Sequence, residues 1–175
     1  NDLDLVSQNV SSEDFGAYTG EISAFMLEKY VKYIIVGHSE RRKYFNESDD
    51  VVYKKLLLSL KYNLTPILCV GENQKERDSG EYLFVIKQQL DRTFMLRSLV
   101  DINKVMLAYE TVWAIGTGKT ASLIWKEEVD ACIREMNIEK TGSLNGQKNP
   151  SLYGSSCNSE NTRSIITQKD GNGLL

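Results

Sequence analysis

Short apolar runs of strand length alternate along this chain with stretches whose apolar residues recur every three or four positions, and that alternation restricts its fold most. Val31 to Val36, Leu64 to Val70 and Val105 to Tyr109 are such runs, and Leu3 to Gln8 is a weaker one. Glu21 to Tyr30 places Ile22, Phe25, Met26 and Tyr30 at helical spacing, and Asp49 to Lys61 places Val52, Leu56 and Leu60 on one face. Leu83, Ile86 and Leu90 form a further stripe, as do Trp125, Val129, Ile133 and Met136. Each stripe is expected to face a core. Parallel strands need a long crossover, usually a helix, so strand and helix in alternation predict an α/β fold around a parallel sheet. The whole of residues 1–175 reads as one domain. The polar stretch from Thr141 to Asn149, with Gly142 and Gly146, reads as a loop.

Two of the apolar runs end in residues that carry chemistry. Ala108 to Thr120 reads Ala-Tyr-Glu-Thr-Val-Trp-Ala-Ile-Gly-Thr-Gly-Lys-Thr, so that Glu110 breaks a strand and a loop with Gly116 and Gly118 follows. Its Gly-Thr-Gly-Lys-Thr lacks the leading glycine of a nucleotide phosphate loop. The two glycines either let backbone N–H groups approach an anion or serve only as turn residues. Glu110 is either a base beside the apolar Val112 to Ile115 patch or a solvated loop carboxylate. Ile34 to Arg42 reads Ile-Ile-Val-Gly-His-Ser-Glu-Arg-Arg and holds His38, the one histidine of the 175 residues.

The charge balance excludes some partners. A net charge of −3 leaves no basic surplus for nucleic acid or an anionic membrane surface. Cys69, Cys132 and Cys157 are odd in number and far apart, which argues against a disulfide framework or a zinc site and for a reducing compartment. No apolar run nears the roughly 18 residues of a membrane helix. A cytoplasmic location is expected, with targeting by a segment ahead of Asn1 left open.

Together the His38 and Glu110 segments resemble the triosephosphate isomerase family. There a strand-end Gly-His-Ser-Glu-Arg-Arg carries an electrophilic histidine, and Ala-Tyr-Glu-Pro-Val-Trp-Ala-Ile-Gly-Thr-Gly-Lys carries a base and a mobile lid. Gln8-Asn9, Gly16 to Ile22, Thr65 to Glu72 and Tyr153-Gly154 agree in order and spacing. The likeness covers nearly the whole chain, weakening between about Asn137 and Asn149 and after Asn158. It implies a TIM (β/α)8 barrel, incomplete over these residues and running from about unit three to unit eight, since such a barrel takes about 250 residues. Pro150 to Tyr153 then stands as the seventh strand and Asp170 to Leu175 as the start of the eighth, and the barrel cannot close from this chain alone.

The resemblance further implies an isomerase of glycolysis and gluconeogenesis that interconverts dihydroxyacetone phosphate and glyceraldehyde 3-phosphate through an enediolate, with no cofactor and no metal. Glu110 would be the base, and His38 a neutral imidazole whose pKa is lowered by a helix N-terminus. Gly116 and Ser156 would hold the substrate phosphate, and Glu40 with Arg41 would support the site. Cys69 would be a small core residue. Thr19-Gly20-Glu21 would belong to a loop that inserts into the partner of a homodimer. The chain departs from the family in four places. The Asn-x-Lys segment would lie ahead of Asn1, the last Gly-Gly pair beyond Leu175, Thr111 stands for a proline, and Ser155 for a glycine. Two rival readings are a barrel remnant acting as a non-catalytic binding or interaction module and an unrelated phosphate-binding barrel.

Overall fold

The computed structural model describes residues 3–95, 102–114, 123–142, 150–154, 161–167 and 173–175. These form a sheet of six parallel strands in chain order: β1 (Val6–Ser7), β2 (Tyr33–Val36), β3 (Thr65–Val70), β4 (Met106–Tyr109), β5 (Ser151–Tyr153) and β6 (Gly173–Leu174). Helices α1 (Ala24–Leu27), α2 (Ser39–Tyr44), α3 (Asp49–Lys61), α4 (Gln74–Asp78), α5 (Tyr82–Phe94), α6 (Leu123–Thr141) and α7 (Thr162–Ile166) intervene, with a 3-10 turn at Ile102–Lys104. Consecutive strands pairing in order, each return made by helix, is the connectivity of an incomplete (β/α) barrel, and the sheet curls into part of one. In register, Ile34 pairs with Pro66, Leu68 with Leu107, and Tyr109 with Tyr153.

Helix α3 matches its expected bounds because both ends are specified locally. The Ser48 hydroxyl caps the Val51 amide, Asp49 and Asp50 face the positive end of the helix dipole, and Lys61 closes the negative end. Its stripe of Val52, Leu56 and Leu60 is buried against Ile34, Val36, Leu68, Ile86 and Leu90. Inside the sheet's curve Ile67, Cys69 and Ala108 form a second small core. Cys69 is therefore the core residue expected, and burial pushes its thiol pKa up, which keeps it protonated.

Two expected stripes are corrected. Helix α1 is one turn long and buries Ala24, while Ile22, Phe25, Met26 and Tyr30 are exposed. The rings of Phe15 and Tyr62 flank Phe25 at 5.9 and 5.7 Å. In α6, Val129, Ile133 and Met136 are buried as expected, but Trp125 is not. It sits at the rim, edge-on to Trp113 at 6.0 Å and 4.8 Å from the Arg77 guanidinium. Lys126 enters the interior instead, because Asp130 one turn on supplies its counter-charge. Helices α4 and α7 were not expected. Helix α4 carries a legible signal in the reciprocal capping box of Asn73 and Glu76. Most of the Thr141 to Asn149 loop lies outside the described residues.

Candidate active site

His38 and Glu110 lie just past the C-terminal ends of β2 and β4, with β3 between those two strands. Gly37 makes the turn out of β2 at φ +74°, where a side chain would be strained. It delivers His38 as the N-cap of α2, and the imidazole Nδ1 accepts the Glu40 amide at 3.2 Å. That acceptor role assigns the ring proton to Nε2. Nε2 lies 2.8 Å from Glu110 Oε1, and the other carboxylate oxygen accepts the Ser39 amide at 2.8 Å. Glu110 is almost fully buried, so two donors replace the water it has lost.

A cleft of about 770 Å³ opens over this pair. Gln8 and Asn9 after β1, Arg41 and Tyr44 of α2 with its C-cap Phe45, and Gly154 after β5 form its walls with His38 and Glu110. Glu40, expected to support the site, is exposed and contributes its backbone amide. Arg41 fits the supporting role through its guanidinium, which bonds Glu47 at 2.5 Å. Glu47 also receives the buried Lys55 ammonium, which reaches Asn9 at 2.6 Å. Gly116, Gly118 and Ser156 lie outside the described residues.

Sequence reasoning missed the groups that hold Glu110 in place. Its amide donates to Val70 at 2.8 Å, and beyond Val70 the Gln89 side chain clamps both the N–H and the C=O of Gly71. Buried Glu72 accepts from the Tyr109 hydroxyl at 3.1 Å and the Trp113 indole at 3.0 Å, with Arg77 at 3.6 Å. Burial raises the Glu72 pKa. Thr111 is more than a looser stand-in for proline. It is fully buried and its hydroxyl is 3.2 Å from that of Tyr153. The Glu110–Val70, Tyr109–Glu72, Trp113–Glu72 and Thr111–Tyr153 pairings have no short-range signal, because their partners come from different strand–helix units; the Gly71–Gln89 and Glu72–Arg77 pairs lie within one unit.

The histidine's titration departs from expectation. Its hydrogen bond to the Glu110 carboxylate raises the His38 pKa above the ordinary 6.5, against the opposing effect of burial. The helix N-terminus is present as the Glu40 amide, but the carboxylate outweighs it in this arrangement, so the expected lowering is reversed. A group with a raised folded pKa contributes stability fully below its unfolded value and loses it as pH climbs through the folded one. Stability should therefore decline as pH rises from about 6.5 through the raised value. Followed by NMR, the imidazole ring protons of His38 should titrate above 6.5, and E110Q should bring that midpoint down. A midpoint at or below 6.5 in the parent protein contradicts the pairing.

Comparison with known proteins gives the family of the chain that carries this strand-end histidine and glutamate. The family profile described as triosephosphate isomerase matches residues 1–175. The chain belongs to the triosephosphate isomerase family. It is 42% identical over 175 residues to the triosephosphate isomerase of Idiomarina loihiensis, covering 99% of this chain and 69% of that protein. It is 45% identical over 174 residues to that of Alkaliphilus oremlandii, with 99% and 70% covered. The Porphyromonas gingivalis protein is 39% identical over 174 residues, with 99% and 69% covered. The sheet order and the two strand-end residues sit within that shared length.

Proposed function

We propose that this chain interconverts dihydroxyacetone phosphate and glyceraldehyde 3-phosphate, with Glu110 as the base and His38 as the electrophile. The observation that carries this reading is the 2.8 Å contact of the buried Glu110 carboxylate with His38 Nε2 at the floor of the cleft. The Glu110 carboxylate oxygen that faces the cleft is placed to accept a proton, and the His38 Nε2–H beside it is placed to donate to a carbonyl oxygen entering the same space. Glu110 takes a proton from the carbon next to the carbonyl. The C–H electron pair becomes the C=C bond of an enediol, and the charge gathering on oxygen is met by Nε2–H. Return of the proton from Glu110 to the adjacent carbon, with a proton exchanged between the two oxygens, completes the isomerisation.

Arg41 is the one cationic side chain among the described residues lining the cleft, and its charge favours the phosphate dianion and the enediolate. Gly116 and Ser156, which follow β4 and β5 in sequence, are proposed to bind the phosphate. Incubated in D₂O with dihydroxyacetone phosphate, the protein expressed from its own gene should yield glyceraldehyde 3-phosphate and introduce deuterium on carbon, with or without EDTA. Binding of a phosphate-bearing analogue with no deuterium uptake would leave a binding module and remove the enzyme.

A homodimer belongs to the same reading. Phe15, Tyr18, Ile22, Phe25 and Met26 expose a contiguous apolar surface around the Gly16 to Ile22 loop, and a second copy is proposed to cover it. Sedimentation equilibrium should give twice the chain mass, and a monomer at micromolar concentration removes the proposal. The reading also places the protein in the cytoplasm, where the free thiols of Cys69 and Cys132 stay reduced, and cell fractionation checks it. Among the described residues no helix is long and apolar enough to cross a membrane.

A further inference from the structure

Immediately after Glu110 the chain does something that the base itself does not require. Thr111 is buried with no exposed surface, its carbonyl closes a turn by accepting the Ala114 amide at 2.8 Å, and its hydroxyl meets the Tyr153 hydroxyl at 3.2 Å. Tyr153 ends β5 and is itself held on two sides. Its ring lies 6.2 Å from that of Tyr109, and the Lys126 ammonium stands 5.6 Å from its centre. Lys126 is paired with Asp130, and the second oxygen of Asp130 accepts the Ser151 hydroxyl at 3.4 Å. All of these groups are buried. A buried lysine–aspartate pair is costly to desolvate and is tolerated only where its geometry is well satisfied, so this column is a rigid support.

The two sides of Glu110 are thereby fixed from opposite strands. Its own amide is tied to Val70 of β3, and the next residue is tied to Tyr153 of β5. We propose that Thr111 is a positioning residue, which through its hydroxyl contact with Tyr153, backed by Lys126 and Asp130, aims the Glu110 carboxylate at His38. The proposal rests on Glu110 being the base, and it assigns to a side-chain hydrogen bond the hinge constraint that a proline ring supplies at this place in the family pattern. Free rotation about the Glu110–Thr111 backbone would let the carboxylate drift, and a misplacement of about 1 Å costs up to about a hundred-fold in rate.

The test uses the protein expressed from its own gene, with T111V, T111S, Y153F and the T111V/Y153F double variant. Valine keeps the shape of threonine and loses the hydroxyl, whereas serine keeps the hydroxyl. T111V should lower kcat between about ten- and a hundred-fold with KM little changed, and T111S should restore it. The double variant should be no slower than the worse single variant, because both remove one contact. In parallel, the NMR titration of His38, assigned with H38Q, should move down toward 6.5 in T111V and Y153F and stay raised in T111S. A T111V protein with parental kcat and an unmoved His38 midpoint overturns the proposal, as do losses that multiply in the double variant. If the parent protein shows no isomerase turnover while the His38 midpoint still falls in T111V and Y153F, the functional reading fails and the positioning of Glu110 by Thr111 stands.

Discussion

E110Q is expected to lower kcat by roughly 10²- to 10⁴-fold, the usual contribution of a positioned general base, with far less effect on the affinity of a phosphate-bearing analogue. The amide keeps the shape of the carboxylate and removes its basicity. It also disturbs the hydrogen bonds, since the carboxylate accepts from both Ser39 and His38 and an amide has one acceptor oxygen. His38 cannot offer its other nitrogen as a lone pair, because Nδ1 already accepts the Glu40 amide. One donor is therefore left unmet at a buried position, and a stability loss of about 1 to 3 kcal/mol should accompany the loss of rate. Steady-state kinetics and urea unfolding separate the two effects. Turnover within about three-fold of the parent would remove Glu110 from the proposed chemistry.

G71A should be the most damaging change to the scaffold around the site. A Cβ on Gly71 would come closer than 3.0 Å to the Glu110 carbonyl oxygen, 3.0 Å from its carbonyl carbon and 3.3 Å from a Val112 methyl. Two of those three atoms are backbone, so no side-chain rotation relieves the contact. Neither segment is free to retreat. Gly71 is clamped by Gln89, and Glu110 is hydrogen-bonded to Val70. The ends of β3 and β4 must move apart, at a cost near the upper end of the overpacking range, about 3 kcal/mol. The same movement carries Glu110 off His38 and should reduce turnover by about a further hundred-fold. G80A is the control. Gly80 lies at φ +79° with nothing within 4 Å of an added Cβ, so alanine there should cost about 1 to 2 kcal/mol of backbone strain and leave kcat alone. A G71A protein as stable and active as the parent would mean that the two strand ends do not approach as closely as described.

How far the molecule was legible in its residues depends on the range of the signal. Helix α3 was readable to the residue because Ser48, Asp49, Asp50 and the Val52, Leu56 and Leu60 stripe are all local. The one-turn α1 was over-read, since spacing counts Phe25 and Met26 as a core face without knowing what lies opposite. Periodicity likewise nominated Trp125 and passed over Lys126. Whether a lysine can be buried depends on its partner, and Asp130 one turn away makes it possible here. In the site, His38 and Glu110 were legible because each follows an apolar strand within a long motif that resembles the family's.

What the sequence alone determined is therefore the alternation of strand and helix, the family, and the two residues offered for chemistry. All of these are read from local motifs and from their order along the chain. The tertiary structure decided that Glu110 touches His38, that the contact turns the histidine's pKa upward, and that Thr111 is held by Tyr153. Each is a meeting of strand ends from different units. Sequence spacing carries no distance between them, and whether a polar group there is costly or useful is settled by the burial and the partners that the closed-up sheet provides.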